Sequence, residues 1–244
     1  MRILAFLYGL LSYLLFLVVF GYAIAFVGDF AVPKTIDAGA HGAFWPSLVI
    51  NLGLLGLFAL QHSGMARPGF KEWWTKIIPE PIERSTYVLF SSAVLALLLW
   101  QWRPMPEVIW SVEEGWAEGM LWAGFGLGWV LVLTATYMIS HWHLFGLKQV
   151  HEHMQGENLS SPTFQVVGYY QYVRHPLNLG FLIAFWSTPH MTLGHLVFAL
   201  ATTGYIFVAM VLEERDLVAR FGERYRRYRQ RVPMIMPWPT VEGG

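Results

Sequence analysis

Tyr170-Gln-Tyr172-Val-Arg174-His175-Pro176-Leu-Asn178 packs two phenols, a guanidinium, an imidazole and a carboxamide into nine residues. Downstream come Glu213-Glu214 and then Phe221-Gly222-x-x-Tyr225-x-x-Tyr228. These polar, titratable stretches flank a long apolar segment. A bilayer protein keeps charged groups at the edge of the hydrocarbon where something is bound or transported. Ligand chemistry is therefore expected here first.

The rest of the chain says which solvent these groups border. Of 244 residues, 55% are hydrophobic and 13% charged, against about 25% charged in a soluble domain. Of the 12 Trp, Trp100, Trp102, Trp110, Trp116 and Trp122 fit an interfacial belt. Without Cys there is no disulfide framework, thiolate metal site or cysteine nucleophile. Sixteen basic and 16 acidic residues balance, so no nucleic-acid partner is expected. The partner implied is the lipid bilayer, and the fold class is an all-α integral membrane protein.

Four runs predict transmembrane helices: Ile3 to Val27, Phe44 to Leu60, Thr86 to Trp102 and Met120 to Ser140. The first lacks a small-residue cleavage site and reads as an anchor, not a removable signal peptide. Leu177 to Leu212 is too long for one helix and is interrupted at Ser187-Thr-Pro189-His190, which predicts a C-terminal helical hairpin whose first arm is too short for a full crossing. A cytoplasmic amphipathic tail helix follows. Two regions result: a four-helix transmembrane region, 1–140, and a cytoplasm-facing ligand-binding region, 141–244, which contains the 177–212 hairpin. With Arg2, 63–85, 141–176 and the tail on one side, 14 of the 16 Lys and Arg lie there, leaving Lys34 and Arg103 opposite. Lys and Arg enrich cytoplasmic loops, so both termini are expected in the cytoplasm of a bacterial inner-membrane protein.

Several features have a plain structural reading. Gly124-Phe-Gly126-Leu-Gly128 has the look of a nucleotide loop, but it lies inside an apolar span and has no βαβ context, so helix packing explains it better. His141 and His143, like His151 and His153, are two apart, about 200° around a helix, and cannot readily chelate one metal. No converging third ligand is evident, so no metal site is assigned. His62, in Gln61-His62-Ser63, either caps the end of its span or lines a cytoplasmic pocket. Leu217, Phe221, Tyr225 and Tyr228 recur at helical spacing, with Arg220, Arg224, Arg227 and Arg231 around them. That tail reads as a basic helix on anionic headgroups, as an aromatic cover over the Arg174-His175 segment, or as both on opposite faces.

The order Tyr170-x-Tyr172-Val-Arg174-His175-Pro176, Glu213-Glu214, Phe221-Gly222, Tyr225, Tyr228 and Val232-Pro233 resembles the C-terminal half of the isoprenylcysteine carboxyl methyltransferases, over roughly residues 148 to 236. Leu60-Gln61-His62-Ser63-Gly64-Met65 and Leu144-Phe145-Gly146-Leu147 resemble the narrower nurim and NnrU-like branch. Over its whole length the chain is similar to the bacterial methanethiol S-methyltransferases. The resemblance implies S-adenosylmethionine (S-adenosyl-L-methionine) as methyl donor and a small neutral thiol, methanethiol, as acceptor, with dimethyl sulfide as product. It carries cofactor contacts onto Gln155, Tyr170, His175, Pro176 and Glu213. Asn178 replaces a frequent Tyr and keeps a hydrogen-bonding group. Where the prenylcysteine enzymes place an Arg one turn before the Glu, this chain has Ala209, which removes the expected partner for a substrate carboxylate.

On that resemblance, Arg174 would pair with the donor's carboxylate, Glu213 would accept from its amine or ribose hydroxyls, and Tyr170 or Tyr172 would stack on adenine. A thiol must lose its proton to become the effective nucleophile. The candidate bases are His62, His141, His143 and Glu214, with His62 favoured, and a neighbouring sulfonium would itself favour the thiolate. Two other readings are a non-enzymatic nurim-like membrane scaffold, which predicts no cofactor binding, and a haem or metal membrane protein using the histidines.

Overall fold

A computed structural model of the chain describes residues 1–40, 42–160 and 163–236. The expected cytoplasmic C-terminal end, 237–244, and residues 161–162 of the 141–176 segment lie outside the described residues. In chain order the elements are α1 (Arg2–Val27), α2 (Phe44–Ala66), α3 (Pro68–Trp74), α4 (Glu80–Gln101), β1 (Val108–Ser111), α5 (Gly115–Ile139), α6 (His141–Leu144), α7 (Leu147–Gln155), a single 3-10 turn (Gly168–Gln171), α8 (Pro176–Trp186), β2 (His190–Thr192), α9 (Leu193–Phe221) and α10 (Glu223–Arg231). Helices α1, α2, α4, α5 and α9 are each long and apolar enough to cross a bilayer. Their surfaces invert the pattern of a water-soluble bundle. Leu4 is 70% exposed and Leu60 76%, whereas Asn51 is fully buried, donating to Arg103 O at 2.8 Å and accepting from Arg103 N at 2.9 Å. Apolar outside and paired polar groups inside is what a hydrocarbon solvent selects. The protein is an all-α, multi-pass membrane protein.

The interrupted apolar region forms α8, β2 and α9. At 11 residues α8 is about 16 Å long, roughly half the hydrocarbon thickness. It packs extensively on α5, and small residues make that approach possible. A Cβ on Gly128 would stand 2.6 Å from Ala184 N, and one on Gly180 would stand 2.7 Å from Gly128 O. A Cβ on Gly124 of α5 would stand 2.7 Å from Ser187 Oγ, while Gly126, between Gly124 and Gly128, faces open space. The outer two glycines of the triplet therefore serve helix packing, as their position in an apolar span predicts.

At the end opposite the Arg174-His175 motif, β2 pairs antiparallel with β1, Val108 with Thr192, Trp110 with Met191 and Ser111 with His190. This ties the α4–α5 connection to the start of α9. Between α5, α8 and α9 the rings of Trp129, Phe181, Phe185 and Phe198 form a continuous edge-to-face cluster, with Phe185 and Phe198 centroids 5.0 Å apart and Trp129 and Phe181 5.8 Å apart. Rings thus fill the space beside the short arm.

The tail departs from a single amphipathic helix. Residues 193–221 form one unbroken helix through Glu213 and Glu214 to Phe221. Gly222, at φ +56 and ψ −132, then turns the chain into α10. Only glycine adopts that conformation without strain. Leu217 and Phe221 therefore belong to α9 and Tyr225 and Tyr228 to α10, which folds back so that its tyrosines meet Phe164 at 5.7 and 5.5 Å. The segments around the motifs are also more ordered than loops: 63–85 carries α3, and 141–176 carries α6, α7 and the 3-10 turn.

Candidate functional site

The motif is held between two backbone supports. On one side Arg174 N donates to Pro233 O at 2.9 Å and His175 N to Met234 O at 3.1 Å, so the residues after α10 lie alongside it. On the other, Pro176 occupies the first turn of α8, where its fixed φ suits the helix start and its missing N–H costs nothing. Arg174 Nε donates to Glu214 Oε1 at 2.6 Å, while Nη1 donates to Val232 O at 2.5 Å and to Arg229 O at 3.1 Å. His175 Nε2 lies 3.2 Å from Glu214 Oε1, and Arg229 Nε lies 3.2 Å from Glu214 Oε2. Both carboxylate oxygens of Glu214, a residue only 3% exposed, are therefore taken. A buried carboxylate with three such partners is a structural clamp between α9, α10 and the motif. Arg174 Nε and Nη1 and both Glu214 oxygens are thus engaged within the protein.

The neighbouring Glu213 is arranged oppositely. Its side chain is 53% exposed, and its Oε2 lies 3.6 Å from His175 Nδ1. Tyr170 is beside it: burial and then the Glu213 charge push the Tyr170 phenol well above its ordinary value, so it stays a neutral phenol. Tyr228 donates to Tyr170 O at 2.6 Å, and burial pushes the Tyr228 phenol up to about 12. Tyr172 is 67% exposed. Asn178 stands half-buried in the first turn of α8. The structure thus brings Tyr170, Arg174, His175, Pro176, Asn178, Glu213 and Glu214 to one end of the α8–α9 pair. Gln155 is elsewhere: it ends α7, which packs on α1 and α4, and its side chain is exposed.

A second polar cluster lies in the bundle at the end of α2. The Tyr87 hydroxyl stands 3.0 and 3.1 Å from the two ring nitrogens of His62, Ser91 Oγ lies 3.2 Å from His62 Nδ1, and Phe58 stacks on the ring at 5.1 Å. Gln61 Nε2 donates to Ser91 Oγ at 3.3 Å. Two contacts join this end of α2 to α9: Ser63 Oγ to Tyr205 OH at 3.0 Å, and Arg67 Nη1 to Asp216 Oδ2 at 2.9 Å. Glu213 is one turn before Asp216, so the His62 cluster and the motif share α9 as a common wall.

The other histidines are placed differently. The Thr136 hydroxyl donates to Leu133 O at 2.7 Å, so the 2.8 Å contact with His141 Nδ1 has the ring N–H as donor. His141 Nε2 then accepts from Tyr13 OH at 2.8 Å, while Tyr137 stacks on the ring at 4.3 Å. Both nitrogens are consumed, and burial holds the imidazole below its ordinary value. His143 Nε2 faces Ser160 O at 3.3 Å, and burial is the main cause lowering its value too. Among the described residues no group of three or more His, Asp or Glu is placed to hold a metal ion.

This geometry coincides with a full-length match to known proteins. The methanethiol S-methyltransferase of Mycobacterium tuberculosis is 55% identical over 238 residues, 98% of each chain. Methanethiol S-methyltransferase 1 of Bradyrhizobium diazoefficiens is 53% identical over 238 residues, 97% of this chain and 83% of that protein. The chain belongs to the methanethiol S-methyltransferase family. Bovine nurim is a more distant relative, 33% identical over 178 residues, 70% of this chain and 68% of that protein. No family model matches the chain, and no solved structure matches it.

Within this family member the sequence reading missed Tyr87, Ser91, Tyr205 and Arg229 as members of the two clusters. A signal for the first pair exists. Tyr87 and Ser91 are four apart, a polar pair on one face of an apolar span. Nothing local singles out Arg229 among the five arginines of α10.

Proposed function

We propose that the protein transfers the methyl group of S-adenosylmethionine to methanethiol, giving dimethyl sulfide, at the cytoplasmic face of a bacterial inner membrane. The observation that carries this reading is near-complete coverage at 55% identity with a protein named for that reaction, joined to an exposed carboxylate beside a phenol and an imidazole at one membrane end. The chain divides in this proposal into a transmembrane region, 1–140, and a donor-binding region, 141–244.

The residues present fit such a donor. Glu213 offers a carboxylate half-open to solvent, suited to an ammonium or ribose hydroxyls. Tyr170, Tyr172 and Asn178 supply aromatic faces and an amide, and His175 and Pro176 fix the wall they project from. Gln155, exposed at the end of α7 on α1 and α4, stands outside this set. With Arg174 committed to Glu214, the positive end of α8 is the group left to meet a carboxylate. When bound, the donor supplies a methyl group activated by its sulfonium sulfur.

The chain's work is then alignment and proton removal. An S–C bond to the thiol sulfur forms as the C–S bond of the sulfonium breaks, its electron pair passing to the departing sulfur. Holding both sulfurs in line accounts for most of the catalysis. His62, in its unprotonated form, takes the thiol proton, with Tyr87 and Ser91 fixing its ring. Acceptor size follows from Ala209, a methyl group on α9 where a carboxylate substrate would need a cation, and from Phe181 and Phe185, which already fill the space beside α8. A desolvated carboxylate without a partner is strongly disfavoured.

Membranes containing the protein, given S-adenosylmethionine and methanethiol, should release dimethyl sulfide measurable by mass spectrometry of the headspace. A prenylcysteine acid should not be methylated. Folded protein that binds the donor and makes no dimethyl sulfide, or that methylates the prenylcysteine acid equally well, overturns the assignment.

A further inference from the structure

Helix α10 presents Arg224, Arg227 and Arg231 at spacings of three and four, one face of a helix. Together with Phe164, Val166, Tyr228 and Val232 they line a cleft of about 610 Å³. Its apolar walls are the aromatic and β-branched side chains, and its polar groups are three guanidiniums with no carboxylate among them. Arg224 lies over the Phe164 ring at 5.2 Å. Arg227 and Arg231 are exposed and make no ion pair among the described residues. The other α10 arginines are committed differently, Arg226 to Glu223 and Arg229 to Glu214. None of Tyr170, His175, Asn178 or Glu213 lines this cleft, which adjoins the proposed donor site through the Tyr228–Tyr170 hydrogen bond.

Like charges three and four apart on a helix repel, and three of them around an apolar floor are complementary to an amphiphilic anion. The location narrows the class. Only Gly222 separates α10 from α9, the helix long enough to cross the bilayer, and on the proposed orientation this end meets the cytoplasmic leaflet, where anionic lipids are attracted to basic residues. We propose that the cleft between α10 and the Phe164–Val166 segment is a binding site for one anionic phospholipid, its phosphate held by Arg227 and Arg231 and the start of its chains lying against Phe164, Val166 and Tyr228. A bound lipid would brace α10, and with it the Arg174–Glu214 clamp, against the membrane surface.

The test titrates dioctanoyl-phosphatidylglycerol into the detergent-solubilised full chain, followed by native mass spectrometry. Parallel arms use dioctanoyl-phosphatidylcholine, inorganic phosphate and S-adenosylmethionine as competitors. Phosphatidylglycerol should bind in preference to phosphatidylcholine. Arg227→Gln/Arg231→Gln should weaken it about 30-fold, from roughly 1 kcal/mol per arginine and tenfold per 1.4 kcal/mol. A matched charge control, Arg215→Gln/Arg226→Gln, should leave it within about threefold. Both pairs of arginines are exposed, and an unchanged melting temperature without lipid confirms that each variant folds. Equal binding of the two lipids, or equal loss in the control, would reduce the cleft to diffuse surface charge and overturn the proposal. Displacement by inorganic phosphate at the lipid's own concentration would make it a free-anion site. Displacement by S-adenosylmethionine would make it part of the donor site.

Discussion

Replacing Arg174 by Ala separates a structural clamp from a ligand contact. The Arg174 side chain is 8% exposed and that of Glu214 4%, and the guanidinium bonds one carboxylate oxygen and two carbonyls of the α10 end. Removing one partner of a buried ion pair costs about 3–5 kcal/mol. Glu214 keeps His175 and Arg229, so the lower figure applies, about 3 kcal/mol. That loss falls on the docking of α10, because Val232 and Arg229 lose their donor together. Each 1.36 kcal/mol is tenfold, so amides of residues 224–232 should exchange with solvent about 100-fold faster in Arg174→Ala, measured by hydrogen exchange and mass spectrometry without any donor present. Arg174→Lys should fall between, since an ammonium keeps the charge and loses the planar fork. Glu213→Gln should leave exchange in α10 unchanged and weaken donor binding, because its carboxylate is half-open to solvent. Normal protection of α10 in Arg174→Ala, with donor binding lost, would refute the clamp and return Arg174 to the ligand.

Three further outcomes follow from other parts of the fold. Gly128→Ala should destabilise the protein by about 1–3 kcal/mol, since its Cβ would meet backbone atoms of α8 at 2.6 and 2.7 Å, while Gly126→Ala should be neutral in the same melting assay because nothing stands within 4 Å. Burial raises the Asp37 carboxyl to about 6, where Thr192 donates to it; the folded state then holds that proton more tightly than the unfolded one, so this contribution is full below pH 4 and lost as pH rises through 6. The melting temperature of the native chain relative to Asp37→Asn should therefore rise on going from pH 7 to pH 4, by the equivalent of at most about 3 kcal/mol, and a constant difference would contradict it. A reporter active only outside the cytoplasm should work in the Glu113–Glu118 loop and fail after Gly244, and the reverse pattern would remove the case for cytoplasmic donor access.

The spans were legible because a bilayer demands long apolar runs, and the break at Ser187-Thr-Pro189-His190 was legible because Pro cannot continue a helix. The division of labour inside the motifs was not. Glu213 and Glu214 are adjacent and chemically alike, yet the side chain of one is 53% exposed and that of the other 4%. Neighbours on a helix point about 100° apart, so which one meets solvent depends on where α10 docks, and α10 docks where Gly222 sends it. That turn is a single backbone conformation, invisible to hydrophobic periodicity, which ran Leu217, Phe221, Tyr225 and Tyr228 together as one face. The same holds for Arg174-His175: the guanidinium bonds inward to Glu214, while the imidazole stands between the two glutamates and reaches both. Each dipeptide therefore commits one charged residue to closing the fold. His175 touches both the clamp and the exposed carboxylate, so a shift of α10 that disturbs Glu214 reaches Glu213 through that imidazole. Donor binding and α10 docking are coupled on this argument without any movement of the membrane helices.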